Sequence, residues 1–212
     1  MLSTGRFYCL FLIQAAHYGG VLLVINLVIQ MAGSFGVPLG PLLVLLISLG
    51  STTGRIGIGH IASALGDTLT TPLLLGGLNL GTFVVNVLLA LYIRSTVLFC
   101  LLVFCSGWLY GAMAVVAASG VVQMFGVTHV AKNDGMFDLA SAMGSLVIAY
   151  GLIAIFPPQR NTDDDDAGGC RGAQCYQKAL VVSACLCCLA ALSALCLHWH
   201  LKRLPNLGVS AR

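Results

Sequence analysis

The sequence predicts an all-α integral membrane protein, a six-transmembrane-helix bundle that takes in the whole of residues 1–212. Three observations carry this. First, 58% of the residues are hydrophobic and 8% are charged, where a soluble domain carries about 25% charged residues. Second, six apolar runs each reach the ~20 residues that a helix needs to cross ~30 Å of hydrocarbon. Third, those runs do not alternate with period two and are about twice as long as a barrel strand. A soluble fold would have to bury nearly every helix on all sides, which a chain of 212 residues cannot arrange.

The first run spans about Phe7–Met31. It lies close to Met1, as a signal peptide would, but its apolar stretch is too long and is interrupted by Gln14, His17, Asn26 and Gln30. "MAG" at Met31–Gly33 is a poor cleavage site, so the helix is expected to stay. Ionisable and amide groups inside a span are costly and are functional candidates by default. Gln14 and His17 stand one turn apart on one face; Asn26 and Gln30 share another, about 140° away. Gln14, His17 and Asn26 are candidates for a solute pathway, and hydrogen bonding between helices is the alternative for either pair. For His17 a neutral packing residue is the plainer reading.

After "GSFGVP" the second run covers about Leu39–Ala62 and ends in "GSTTGRIGIGH". Gly50 and Gly54 form a G-x-x-x-G pair that lets another helix approach closely. Arg55 follows and is expected to snorkel to the cytosolic surface. "GRIGIGH" superficially suggests a nucleotide loop, but it follows a membrane helix and no strand. The third run, about Pro72–Ile93, carries Asn86 as a deep polar side chain and a fourth pathway candidate. The fourth spans about Thr96–Val122, and the polar stretch "THVAKND" separates it from the fifth, about Phe137–Phe156. Asp138 opens the fifth run, where a carboxylate meets the positive end of the helix dipole, with Ser141 and Ser145 on nearly the same face. Arg55 and Asp138 stand at cytosolic ends of different helices and are candidates for a paired cytosolic gate. The sixth run is about Ala179–His198.

Between the fifth and sixth runs lies a polar loop, residues 157–178, that includes "RNTDDDDAGGCRGAQCYQK". Six spans put both termini on one side of the membrane. That side collects Arg6, Arg55, Lys132, Lys202, Arg203 and Arg212, against Arg94, Arg160, Arg171 and Lys178 on the other. The excess favours cytosolic termini, and the acidic loop is then exoplasmic. Cys170 and Cys175 are the cysteine pair in a polar loop, and four intervening residues can close a tight disulfide. Free thiols and a metal pair remain the alternatives, although a zinc site needs about four ligands and this loop has no His. The other seven cysteines lie in or beside apolar runs, where a thiol is usually an inert core residue. Cys196, near the cytosolic end of the last run, is a weak candidate for S-acylation.

Several function classes find no support. The net charge is +3 and no basic stripe exists, so no nucleic-acid partner is expected. No phosphate loop, nucleophile elbow, H-E-x-x-H or intramembrane carboxylate pair is present, so no enzyme, metal or cofactor is expected. One internal similarity stands out: "VIQMAGSFGV" (Val28–Val37) ends the first run and "VVQMFGV" (Val121–Val127) ends the fourth, which fits two three-helix units.

In order along the chain, "GVLLVINLVIQMAGSFG", "SLGSTTGRIGIGHIASALGD", "FGVTHVAKNDGMFDLASAMGSLVIAYGLIAIF" and "CRGAQCYQKALVVSACLC" resemble the carboxy-terminal half of nodulin-like transporters of the major facilitator superfamily. The matching positions include Gly54, Arg55, Gly57 and Gly59; Phe125, Gly126, Gly135, Ala142, Gly144 and Ser145; and Cys170, Gly172 and Cys175. The resemblance implies one half of such a carrier, itself a 3+3 inverted repeat. It also implies a second six-helix half, whether upstream in the same chain, a second copy or another protein, and a small-molecule solute moved by alternating access. Two departures are the tetra-aspartate and the count of six spans where a full carrier has about twelve. The competing reading is a non-transporting scaffold or regulatory subunit that binds a full transporter through its small-residue helix faces.

Overall fold

A computed structural model describes residues 5–33, 40–65, 70–91, 95–126, 130–155 and 174–202. Among them are α1 (Gly5–Gly33), α2 (Gly40–Leu65), α3 (Thr71–Leu91), α4 (Thr96–Phe125), α5 (Val130–Met143), a π-helical stretch (Gly144–Tyr150), α6 (Gly151–Ile155) and α7 (Gln174–Lys202), with no strand. The fifth span, Val130–Ile155, is built from α5, the π stretch and α6, so six helices are long and apolar enough to cross a membrane. Helices suit this solvent because each satisfies its own backbone hydrogen bonds where no water can. Large apolar side chains such as Leu12, Val97, Ile155 and Trp199 stand exposed on the bundle's outside, as lipid contact permits and water does not. The protein is an integral, multi-pass membrane protein.

Local signals set several ends. Pro72 sits in the first turn of α3, where its missing N–H costs nothing, and Leu73 N–H donates to Thr70 O at 2.9 Å. Gly126, at φ +75°, closes α4 with its N–H on Val122 O at 3.0 Å. Thr71 hydrogen-bonds Gln123, and Thr70 Oγ1 lies 2.6 Å from His198 Nδ1. These bonds tie the start of α3 to the ends of α4 and α7 at one face of the membrane, as six alternating traversals require.

α1 is the most buried span, enclosed by α3, α4, α7 and the fifth span. The closest approaches are backbone to backbone. α2 crosses α4 where Gly50 and Gly54 meet Gly107 and Gly111: a Cβ on Gly54 would collide with the Trp108 carbonyl, and one on Gly111 with the Ser51 carbonyl. The fifth span crosses α1 in the same manner, with Gly144 against the Ala15 carbonyl and Gly19 against Ile148.

Two features differ from the sequence reading. The fifth helix begins at Val130 rather than near Phe137, so Asp138 is its ninth residue and lies outside the first turn. "AKND" continues the helix because backbone bonding, not side-chain hydropathy, decides where it ends. The π stretch is the second difference. Its wider winding falls where Gly19, Ala15 and Gly144 bring two backbones together, and a π turn is usually found at functional places in helices.

Candidate functional site

The central turns of α1 carry a buried polar seam. His17 is fully buried; its Nε2 lies 3.2 Å from Leu109 O in α4, and its Nδ1 lies 3.2 Å from Thr82 Oγ1 in α3. A carbonyl oxygen can only accept, so Nε2 carries the proton. In the neutral imidazole Nδ1 then accepts from the Thr82 hydroxyl, for which Leu78 O at 3.1 Å is the competing acceptor. Gln14 Nε2 donates to Phe137 O at 3.3 Å, and Asn86 Nδ2 donates to Ser183 Oγ at 3.1 Å. The seam thus clamps α1 to α3, α4 and α5, and α3 to α7. Asn79 is also buried and bonds within its own helix to Leu75 O at 3.0 Å. The Oδ1 atoms of Asn79 and Asn86 have no partner among the described residues.

The Asn86–Ser183 bond can be weighed directly. Interhelical hydrogen bonds in membranes couple by about 0.6 kcal/mol on average, because the membrane-embedded unfolded chain also finds partners. A double-mutant cycle of Asn86→Val and Ser183→Ala is expected to give a coupling near that size in detergent unfolding. A coupling indistinguishable from zero would mean that the bond does not hold α3 to α7.

A second polar cluster lies on the open side. A groove of about 670 Å³ runs between α1, α2 and α4, lined in part by Ile25, Ser48, Ser51, Thr52, Arg55 and Tyr110. Ser48, Thr52 and Arg55 follow at four and three residues and share one face of α2. The Ser48 hydroxyl donates to Val44 O at 2.9 Å and the Thr52 hydroxyl to Ser48 O at 3.0 Å, so both turn lone pairs outward. Arg55 is exposed and lies ten residues before the end of α2. That is ~15 Å along the axis from the helix end, within a span long and apolar enough to cross a membrane. Tyr110 of the groove's lining meets the buried Tyr18 edge to face, centroids 5.5 Å apart. Tyr18 is within electrostatic range of Arg55, Asp138 and Asp134.

The sequence candidates therefore separate. Gln14, His17 and Asn86 lie inside the bundle; Asn26 is exposed, one helical turn from Leu22 of the groove's lining. Arg55 and Asp138 are both exposed, on different helices. Gly50 and Gly54 lie at the α2–α4 crossing. Cys170 and the side chain of Cys175 lie outside the described residues, as does most of the acidic loop. Among the described residues no group of three His, Cys, Asp or Glu could hold a metal.

The family model for the NFD4 C-terminal domain matches residues 3–207, nearly the whole chain. The chain belongs to this nodulin-like family. No curated protein and no solved structure matches it. In this NFD4 C-terminal domain, sequence reasoning missed Tyr18, Tyr110, Thr82, Asn79 and Ser183. Two signals could have found some of them. Asn79, Thr82 and Asn86 form an i, i+3, i+7 stripe on α3. "YGG" (Tyr18–Gly20) and "YGA" (Tyr110–Ala112) repeat 92 residues apart, nearly the spacing of "VIQM" and "VVQM".

Proposed function

We propose that the chain is one six-helix half of a secondary transporter of the major facilitator type, moving a small solute by alternating access against a second six-helix half. The observation that carries this is Arg55. Arg55 lies inside an apolar span, where a guanidinium facing lipid costs up to ~2.5–3.5 kcal/mol at the bilayer centre, yet it stands exposed among Ser48, Ser51, Thr52 and Tyr110. A face of this composition belongs against water or another protein. It forms one wall of the solute pathway, with Asn26 on its α1 side, while Gln14, His17 and Asn86 hold the helices behind the wall. No chemistry is performed on the solute, and no cofactor takes part.

The arrangement of helices supports a 3+3 inverted repeat. Exchanging α1 with α4 and α2 with the fifth span turns the α2–α4 crossing into the crossing of the fifth span with α1. Residues equivalent at a 92-residue offset also touch each other: Tyr18 with Tyr110, and His17 with the Leu109 carbonyl. Mutual contact of equivalents is what residues beside a pseudo-twofold axis do. The positively charged side of the loops supports cytosolic termini. The scaffold reading has less to stand on, because Gly50 and Gly54 are spent on α4 within the chain.

Charged thiol reagents test the wall. With the exposed native cysteines changed to serine, Thr52→Cys and Arg55→Cys are expected to react with a methanethiosulfonate ammonium reagent at least tenfold faster than Leu80→Cys and Val84→Cys, which sit exposed on α3. Equal, slow reaction at all four positions would mean that the α2 face is covered by lipid, and the transporter reading would fall.

A further inference from the structure

At one membrane face the start of α1 and the end of α7 leave a groove of about 680 Å³ between them, separate from the solute wall. Its lining includes Cys9, Leu189, Leu192, Ser193, Cys196 and His200, and Gly5 leaves its mouth without a side chain. Both thiols are free and exposed. Cys9 lies two residues inside the first span, which begins at Phe7, and Cys196 lies four residues inside the last, which ends at His200. Both are therefore within about one helical turn of the same membrane surface. From His200 the groove reaches Leu189, eleven residues and ~16 Å deeper. That depth is about half of the ~30 Å hydrocarbon, one leaflet, which is the length a membrane acyl chain occupies. Its wall includes Leu189, Leu192 and Leu197, His200 also lines it, and Lys202 follows in the same last turn of α7.

We propose that Cys9 and Cys196 are S-acylated and that the groove between α1 and α7 receives the attached long chains. Each thiolate sulfur attacks the carbonyl carbon of a long-chain acyl thioester presented by an acyltransferase. A new carbon–sulfur bond forms to Sγ, the bond to the donor's sulfur breaks, and the cysteine proton leaves with the donor thiol. No electron transfer is involved. The other described cysteines are placed differently. Cys187 is buried with its thiol on the Ala16 carbonyl, and Cys185 lies near the middle of its span, beyond reach of the surface. Metal binding does not compete, since no third ligand joins the two thiols among the described residues.

Acylation of this kind takes place at the cytosolic leaflet, so the inference rests on the cytosolic orientation proposed above. The test is acyl-to-polyethylene-glycol exchange on the full chain in its own membranes, with free thiols blocked before thioesters are cleaved by hydroxylamine. Two hydroxylamine-dependent mass tags are expected. Cys9→Ser and Cys196→Ser should each remove one and the double variant both, whereas Cys185→Ser should leave the two-tag ladder unchanged. Protease protection of a carboxy-terminal epitope in sealed vesicles reads orientation separately. A cytosolic epitope without tags, or tags that survive in the double variant, would overturn acylation itself. An epitope on the opposite side without tags would overturn it together with the orientation.

Discussion

Gly111→Leu is expected to destroy the folded bundle. The added Cβ would enter the backbone of Ser51, meeting its carbonyl oxygen, carbonyl carbon and Cα. None of those atoms can turn aside as a side chain would, so α2 must move away from α4. The movement also opens the neighbouring contacts of Gly50, Gly54 and Gly107. Overpacking costs about 1–3 kcal/mol when side chains can adjust. Here a whole crossing is lost, in a solvent where packing and not the hydrophobic effect holds helices together, so the cost should exceed that range. Fluorescence-detected size exclusion in mild detergent should show the monodisperse peak lost or its melting temperature sharply lowered. Gly77→Leu is the control, since nothing lies within 4 Å of a Cβ there. If the two variants behaved alike, the α2–α4 crossing would not be what holds α2.

The second large effect concerns Arg55 and Asp138. If the two form the gate of the proposed transporter, single neutralisation, Arg55→Gln or Asp138→Asn, is expected to shift the balance between closed and open cytosolic mouths. A change of ~1.4 kcal/mol is a tenfold change in population. Labelling of Thr52→Cys from the cytosolic side by a bulky impermeant maleimide should therefore rise about tenfold in either variant. Exchange of the charges, Arg55→Asp with Asp138→Arg, should return labelling to near the parent rate if the two pair in the closed state, because such an attraction would survive reversal. Failure of the exchange to restore it would show that the two act separately, with Arg55 serving the pathway wall alone.

The spans were legible because hydropathy averaged over twenty residues is a direct reading of the solvent. The fifth helix's start was not, because Lys132, Asn133 and Asp134 look like loop composition while their backbone groups continue the helix. The π stretch left no trace in residue type: Gly144–Tyr150 is as apolar as its neighbours. Helical geometry separated Gln14 and His17 from Asn26 and Gln30, and the structure has the first pair inside and the second exposed. Which pair would be inside depended on where α3, α4 and α5 pack, information that no single helix holds. For Arg55 the sequence showed the charge and a span running on to about Ala62, close to the helix end at Leu65, but not the Ser48, Ser51, Thr52 and Tyr110 side chains gathered around it. Tyr18 and Tyr110 escaped notice because their meaning lies in each other, 92 residues apart.

The similar positions of Arg55 and Asp138 along their helices have an electrical consequence for the proposed transporter. Six alternating spans put the end of α2 and the start of α5 on one side, and the two residues stand ten and eight positions in from those ends. A charge crossing the full membrane potential exchanges ~2.3 kcal/mol per 100 mV, and each of these residues senses a similar part of that field. A rocking motion that carries both together moves opposite charges through the same voltage drop. In the proposed transporter their contributions would cancel, so this half would turn without these two charges working against the membrane potential.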